Sequence, residues 1–314
     1  MSFDVLGLST NLTREEWLAV RKYYIGGSDA GAVLGLNPWK SPLDVWLDKK
    51  SKVEEKEEPT YRMKLGNILE DTVAKLFEEE TGKTVRRDNR MMVSKENPFM
   101  MANIDRRVVG ENSILECKTT TQWNKKFWKN NSVPLSYQIQ CHHYMVVTGA
   151  DKCYIACMIG FTDFVIREIE RDEAVIELLI EGEKEFHDLL KDPSNPLPKP
   201  DGSPAYTNAL NEKFGVVEHV EPTEIDVNFK HYFELKETIS VLEKEKEKIE
   251  QQAKLQLGSS DIGKCGKYQA TWKEVVSERL DTKKIKKESP EIFEKYKKVS
   301  KYRRFSVKEL KEEE

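Results

Sequence analysis

Between Asn103 and Thr120 the chain reads NIDRRVVGENSILECKTT, and three of its side chains could do chemistry together: Asp105, Glu116 and Lys118. An extended segment carrying Asp105, a turn at Gly110-Glu111-Asn112-Ser113 and a second segment from Ile114 to Lys118 predict a β-hairpin. Residues two apart in a strand share a face, so Glu116 and Lys118 point the same way while Leu115 and Cys117 turn into packing. Asp105 falls near the strand opposite. Two carboxylates converging there suit a hard divalent cation such as Mg²⁺, which keeps several waters and takes one or two protein carboxylates. Taken alone, Glu-x-Lys equally describes a surface ion pair on an ordinary hairpin. The flanking elements have to separate the two.

Upstream, Met63 to Thr81 has Leu65, Ile68, Leu69, Val73, Leu76 and Phe77 near the helical period and Gly82 as a stop, which predicts an amphipathic helix with Glu70 beside its apolar stripe. Earlier still, Trp17 to Arg21 suggests a helix halted by Gly26-Gly27, and Ser28 or Asp29 is placed to cap a short helix through Val33-Leu34. A Gly-Gly-Ser turn of this kind offers unpaired N–H groups to a phosphate, and Arg21 stands two helical turns upstream to add a guanidinium. Such turns are more often only turns. Trp39 and Trp46 are expected in the core, and the charge-rich run from Lys49 to Tyr61 as a solvated loop.

Lys83 to Ser94 reads as one strand. Downstream of the hairpin, Gln122 to Lys129 sets Trp123, Phe127 and Trp128 among lysines, either a strand grip or the buried side of a short helix. Pro134 to Thr148 predicts a helix ended by Gly149, with Gln140 and Tyr144 stacked at i, i+4; the adjacent His142 and His143 diverge by about 100° and cannot share one ion. Two alternating strands from Lys152 to Ile169 and a second amphipathic helix from Arg171 to Lys191 complete a compact α/β core. The Pro-rich stretch Asp192 to Pro204 marks the boundary, giving a core of residues 1–206 and a helical, basic region of 207–314. In the latter, Phe229 to Leu257 is a long helix, Tyr268 to Val276 a returning strand, and between Lys264 and Lys308 Lys and Arg outnumber Asp and Glu by more than two to one.

The whole chain of 314 residues is 34% charged and carries a net charge of −4, with a mean hydropathy of −0.65. That basic segment on an acidic body can still meet a polyanion. No apolar run reaches the roughly 18–20 residues of a membrane span, and MSFDVLGLSTNLTREEW lacks a basic region and an apolar stretch, so a cytoplasmic protein is expected. The five cysteines, Cys117, Cys141, Cys153, Cys157 and Cys265, are odd in number and lie among apolar neighbours, which suits reduced thiols. Cys153 and Cys157 lack the further ligands a zinc site needs.

An acid on an early helix (Glu70), Asp105, ten intervening residues, Glu116-x-Lys118 and a helical Gln140-x-x-x-Tyr144 together resemble the metal-dependent nucleases with the Asp…Glu-x-Lys motif. The block from Arg21 through Ile25-Gly26-Gly27-Ser28-Asp29-Ala30-Gly31 to Leu36-Asn37-Pro38-Trp39 resembles the signature of YqaJ-type phage recombination exonucleases, relatives of lambda exonuclease; the likeness runs from Trp17 to Phe161. It implies a restriction-endonuclease-like α/β core with a central mixed sheet flanked by helices, plus a helical C-terminal appendage. It implies a 5′→3′ exonuclease on linear duplex DNA that leaves 3′ single strands for an annealing protein, in the host cytoplasm if phage-encoded. By position, Glu70, Asp105, Glu116 and the Cys117 carbonyl would hold Mg²⁺, or Mn²⁺ in its place. Lys118 would orient and help deprotonate the attacking water, Gln140 would steady the site, and Arg21, Gly27 and Ser28 would receive the 5′ phosphate. A shifted register puts His142 at the glutamine position. Relatives form rings, so a ring-shaped homotrimer is implied. A structure- or site-directed endonuclease and a non-catalytic DNA-binding assembly protein are the alternatives on the same residues.

Overall fold

The computed structural model describes residues 2–51, 60–215, 221 and 223–310. The expected loop between Lys49 and Tyr61 lies mostly outside the described residues. The chain divides into two compact units, Met1–Phe214 and Gly215–Glu314. In order, the first contains β1 (Phe3–Leu8), α1 (Arg14–Lys22), β2 (Ile25–Gly26), α2 (Gly27–Val33), α3 (Pro42–Lys50), α4 (Tyr61–Thr81), β3 (Val85–Arg87), β4 (Arg90–Ser94), β5 (Met100–Ala102), β6 (Arg106–Val108) and β7 (Ser113–Thr120). Then come α5 (Leu135–Thr148), β8 (Lys152–Ile159), β9 (Asp163–Glu170), α6 (Glu173–Lys191) and α7 (Pro204–Phe214). The division falls at the end of α7, the helix that contains residue 206; α7 buries Tyr206 and Ala209 in the core, and Tyr206 donates its hydroxyl to the Pro198 carbonyl.

The strands form a five-stranded mixed sheet, β3-β6-β7-β8-β9, and a four-stranded sheet, β1-β4-β5-β2. This is the α/β core with mixed sheet flanked by helices that the sequence predicts, with a second sheet beside the five-stranded one; the single strand expected from Lys83 to Ser94 is in fact two. Asp88 and Asn89 break that strand, sending β3 to β6 and β4 to β1 and β5. The hairpin forms as read, with Arg106 opposite Leu115 and Arg107 opposite Ile114. On its other side β7 runs parallel to β8 through the α5 crossover. β7 is thus central and covered on both faces. Leu115 and Cys117 pack with Val73, Ala74 and Phe77 of α4, while Ile114 belongs to the larger core that includes Ile139, Met145 and Val147 of α5.

Helix ends follow the local chemistry. α4 closes on Gly82 at φ 68° and α5 on Gly149 at φ 70°, both left-handed and open to glycine at little cost. α2 is capped by Gly26 rather than Ser28 or Asp29; the Asp29 carboxylate accepts the Gly26 N–H at 3.4 Å. Trp46 is buried as expected, but Trp39 is 59% exposed, its N–H drawn back to the Asn37 side chain in a tight turn. Residues 122–128 form a 3₁₀ segment that buries Trp128 and leaves Trp123 and Phe127 exposed. Cys141, Cys153 and Cys157 are buried free thiols, and Cys265 is the exposed exception to a core role. Among the described residues no helix is long and apolar enough to cross a membrane.

The second unit contains α8 (Phe229–Leu257), a hairpin of β10 (Ile262–Cys265) and β11 (Tyr268–Thr271), and the short helices α9 (Thr282–Glu288) and α10 (Pro290–Tyr296). The returning strand ends at Thr271 instead of Val276.

One polar pair lies deep in the first unit. His143 Nδ1 meets Glu183 Oε1 at 2.7 Å, and His143 Nε2 meets the Met101 carbonyl at 3.0 Å. Both ring nitrogens face acceptors, so the pair retains a shared proton. Burial would lower His143, but Glu183 outweighs it and raises the imidazole above its ordinary 6.5; burial raises Glu183 as well, against the pull of His143. Both shifts make the folded state the better proton binder: the Glu183 contribution is full below its ordinary 4.5 and the His143 contribution below 6.5, and each is lost as pH rises through its folded-state value. Urea midpoints measured from pH 6 to pH 9 should therefore decline. Glu183→Ala, which strands the histidine, should cost about 3–5 kcal/mol and flatten the slope.

Candidate active site

The face alternation of β7 sends Glu116 and Lys118 toward α5, where they meet the buried Gln140. Lys118 Nζ lies 2.6 Å from Glu116 Oε1 and donates to Gln140 Oε1 at 2.9 Å. Gln140 Nε2 donates to Glu116 Oε1 at 2.7 Å and to the Tyr144 hydroxyl at 3.1 Å. The amide orientation is fixed by this network, since a flip would set its N–H₂ against the lysine and its oxygen against the glutamate. His142 makes no such contact; its Nδ1 faces the Gln138 carbonyl at 2.9 Å. Gln140 is the residue that reaches the strand.

Asp105 lies just before β6, half-buried, and its Oδ2 accepts the Cys117 N–H at 2.7 Å. The aspartate is thereby tied to the residue between Glu116 and Lys118. Burial, then Glu116 and Glu70, push the Asp105 carboxyl well above its ordinary range, with the Cys117 N–H and Lys118 pulling the other way. Burial alone would lower Lys118; Glu116 and, behind it, Asp105 hold its ammonium above the usual lysine value. Lys118 is thus held as a hydrogen-bond donor between Glu116 and Gln140.

Glu70, on α4, is brought to the same cavity but is clamped from outside. Its Oε1 accepts Arg106 Nη1 at 2.5 Å, and Arg106 also holds Asp71. Among the described residues no three His, Cys, Asp or Glu side chains are drawn together closely enough to enclose a metal by themselves. Glu70 leans to Arg106 and Glu116 to Lys118. The donor set nonetheless fits a hard cation. Glu116 Oε2 is buried with no hydrogen-bond partner, and Asp105 stands under like-charge pressure that a cation relieves.

The cavity that holds these groups, about 900 Å³ in volume, is also lined by Trp17 and Arg21, and Arg21 reaches the Gly26 to Ser28 segment, where β2 runs into α2. Arg21 stacks 4.7 Å over the Trp17 ring and donates through Nη2 to Ser28 Oγ at 2.7 Å. Buried Asp29 anchors three cations: Lys49 at 2.7 Å, Lys40 at 3.1 Å and Arg21 at 3.7 Å. Burial would raise the Asp29 carboxyl, but Lys40, Lys49 and Arg21 hold it well below the usual range. Gly27, expected to face a phosphate, is buried instead, and a Cβ there would come within 2.4 Å of Tyr144 Cε1. Sequence reading missed Lys40, Lys49 and the Arg106 clamp, because no local spacing links them to the acids they serve.

Residues 16–151 match the family described as the YqaJ-like viral recombinase domain. Across nearly its whole length the chain is 40% identical to YqaJ of Bacillus subtilis (strain 168), over 313 residues covering 98% of each protein. The chain belongs to the YqaJ family. Solved structures similar to this YqaJ-family chain include the alkaline exonuclease LHK-Exo of Laribacter hongkongensis in complex with dAMP, at 20% identity and a TM-score of 0.49, covering 64% of this chain and 97% of that one. A phage-related exonuclease from Haemophilus somnus 129PT is 16% identical with a TM-score of 0.38, covering 56% and 98%.

In this YqaJ-family protein the Gly27–Tyr144 contact is testable directly. Gly27→Ala should lower stability by about 1–3 kcal/mol, as overpacking does. A Gly27→Ala/Tyr144→Ala protein should lose less than the two single changes summed, because the contact is shared. Urea unfolding of the four proteins measures the coupling.

Proposed function

We propose that this protein is a divalent-metal-dependent exonuclease that digests linear double-stranded DNA from the 5′ end and leaves 3′ single strands for a phage-type annealing partner. The observation that carries this reading is one cavity with two chemistries: Asp105, Glu116 and Lys118 line it together with Arg21, which is bonded to Ser28.

Asp105, Glu116 and the Cys117 carbonyl would hold Mg²⁺, with Glu70 reaching the site if it leaves Arg106; Mn²⁺ has the same preference for oxygen donors. Such an ion, when bound, supplies Lewis-acid stabilisation and lowers the pKa of water. The protein's own groups do the rest. Gln140 fixes Glu116 and Lys118 relative to each other, so neither has to reorganise when negative charge builds on a phosphate. Lys118 commits two donors, to Glu116 and Gln140, and keeps a third N–H for a ligand in the cavity. Its role is to orient the attacking water and to stabilise the charge that builds on the phosphate. Arg21, half-exposed and preset by Trp17 and Ser28, suits a terminal phosphate. Contacts of this type read phosphate and not base, which suits digestion without sequence preference.

The direct experiment is linear duplex labelled at either end, with and without a 5′ phosphate, in Mg²⁺ and in EDTA. Mg²⁺-dependent early release of the 5′ label, faster with the 5′ phosphate, is expected, and a covalently closed circle should survive. Cutting of the circle would favour the endonuclease reading, and no nucleotide release in Mg²⁺ would favour the non-catalytic one. Asp105→Ala should bind duplex in EDTA like the parent yet release nucleotides at least about 10²–10³-fold more slowly. Digestion at the parental rate would refute the mechanism.

A further inference from the structure

A second concavity of about 550 Å³ opens beside the first, walled by Arg86, Arg87, Asn89, Arg90 and Arg107 around Asp88. Four arginines face one aspartate there, an excess of three positive charges. The strand register concentrates them: β3 pairs with β6 so that Arg86 lies opposite Arg107 and Arg87 opposite Arg106. Like charges directly opposite weaken a ladder. Most of that strain is relieved by acids. Arg87 donates to Asp71 at 2.5 Å, Arg106 is held by Glu70 and Asp71, and Arg107 donates to Asp88 at 2.7 Å. Asp88, however, also binds Arg90 through both oxygens, at 2.7 and 2.6 Å, so one charge fixes two guanidiniums. Arg86 is exposed and has no ion-pair partner among the described residues.

The arrangement is preorganised as well as charged. Arg90 and Arg107 lie 5.3 and 5.7 Å from the ring centre of Phe3, so their planes are held before any ligand arrives. Arg87 lines both this concavity and the catalytic cavity. The two are neighbours along one surface.

We propose that this arginine cleft grips the phosphodiester backbone of the same DNA, beyond the terminal nucleotides that enter the catalytic cavity. Guanidiniums match phosphate oxygens in planar, bidentate geometry and carry no base preference, which is what an enzyme advancing along any sequence needs. The proposal takes its ligand from the DNA-end reading above and adds a second anchoring point to it.

The test uses the full chain in EDTA and fluorescence anisotropy with 5′-phosphorylated duplexes, one of only a few base pairs and one of several helical turns. Arg86→Gln and Arg86→Glu are compared with the parent and with Lys184→Gln on the exposed side of α6. On the long duplex Arg86→Gln should weaken binding about three- to tenfold and reduce the slope of log affinity against log salt by about one, with Arg86→Glu worse. On the short duplex all four proteins should bind alike, and in Mg²⁺ the Arg86 variants should still release nucleotides from saturating long duplex. Parental affinity and salt slope in both Arg86 variants would overturn the proposal and leave the DNA-end reading standing. A parent that bound neither duplex would overturn both.

Discussion

Three carboxylates turned toward one cavity repel one another, and much of the first unit is built to tolerate that. Burial already disfavours charge on Asp105, and Glu116 and Glu70 add to the cost. The opposing groups are all placed by secondary structure rather than by loops. The Cys117 N–H comes from a strand, Gln140 from a helix, and Arg106 and Lys118 from strands on either arm of the hairpin. Removing one member of such a set leaves a buried charge unmatched, which costs more than the pair ever contributed. The unsatisfied Glu116 Oε2 marks where the protein's own compensation stops.

That constraint explains why β7 is the central strand of its sheet and covered on both faces. Alternation assigns Leu115 and Cys117 to the α4 side and Glu116 and Lys118 to the α5 side, so each helix serves a different purpose. α4 supplies apolar packing and, at Glu70, one more acid. α5 supplies the polar contacts. A one-residue slip in the β6–β7 register would exchange the two sets and bury the acid and lysine against Phe77. The site and the hydrophobic core are specified by the same register.

What was legible in the sequence was local. The hairpin, α4 with its Gly82 stop, α5 with its Gln140–Tyr144 spacing, and β8–β9 all declare themselves through period, caps and turns within a few residues. What was hidden depends on partners far along the chain. β1 finds β4 some ninety residues later, and nothing near Phe3 announces it. The split at Asp88-Asn89 sends one apparent strand to two sheets, a choice made by tertiary pairing. Nothing local singles out Lys40, Lys49 and Arg106, because their acid partners, Asp29 and Glu70, are brought up by folding. Gly27 shows the converse. Its position in a Gly-Gly-Ser turn suggested exposed backbone, whereas its packing against Tyr144 could be seen only once α2 and α5 were side by side.

That contact joins the two halves of the cavity mechanically. Tyr144 rests on Gly27 at the start of α2 and accepts a hydrogen bond from Gln140, which in turn holds Glu116 and Lys118. The helix that begins beside Ser28 and the strand that carries Glu116 are therefore separated by two side chains, both buried and both locked. Further along the same helix pair, Gly31 admits the backbone of Ser136 so closely that a Cβ would lie 3.0 Å from it. Two glycines on one face of α2 let it approach α5 more nearly than any other residue would allow. On the proposed reading, a phosphate held by Arg21 and Ser28 and a scissile bond held by the acids must keep a fixed separation through many turnovers. A packed glycine–tyrosine–glutamine stack does this better than a loop, because interior packing resists sub-ångström displacement.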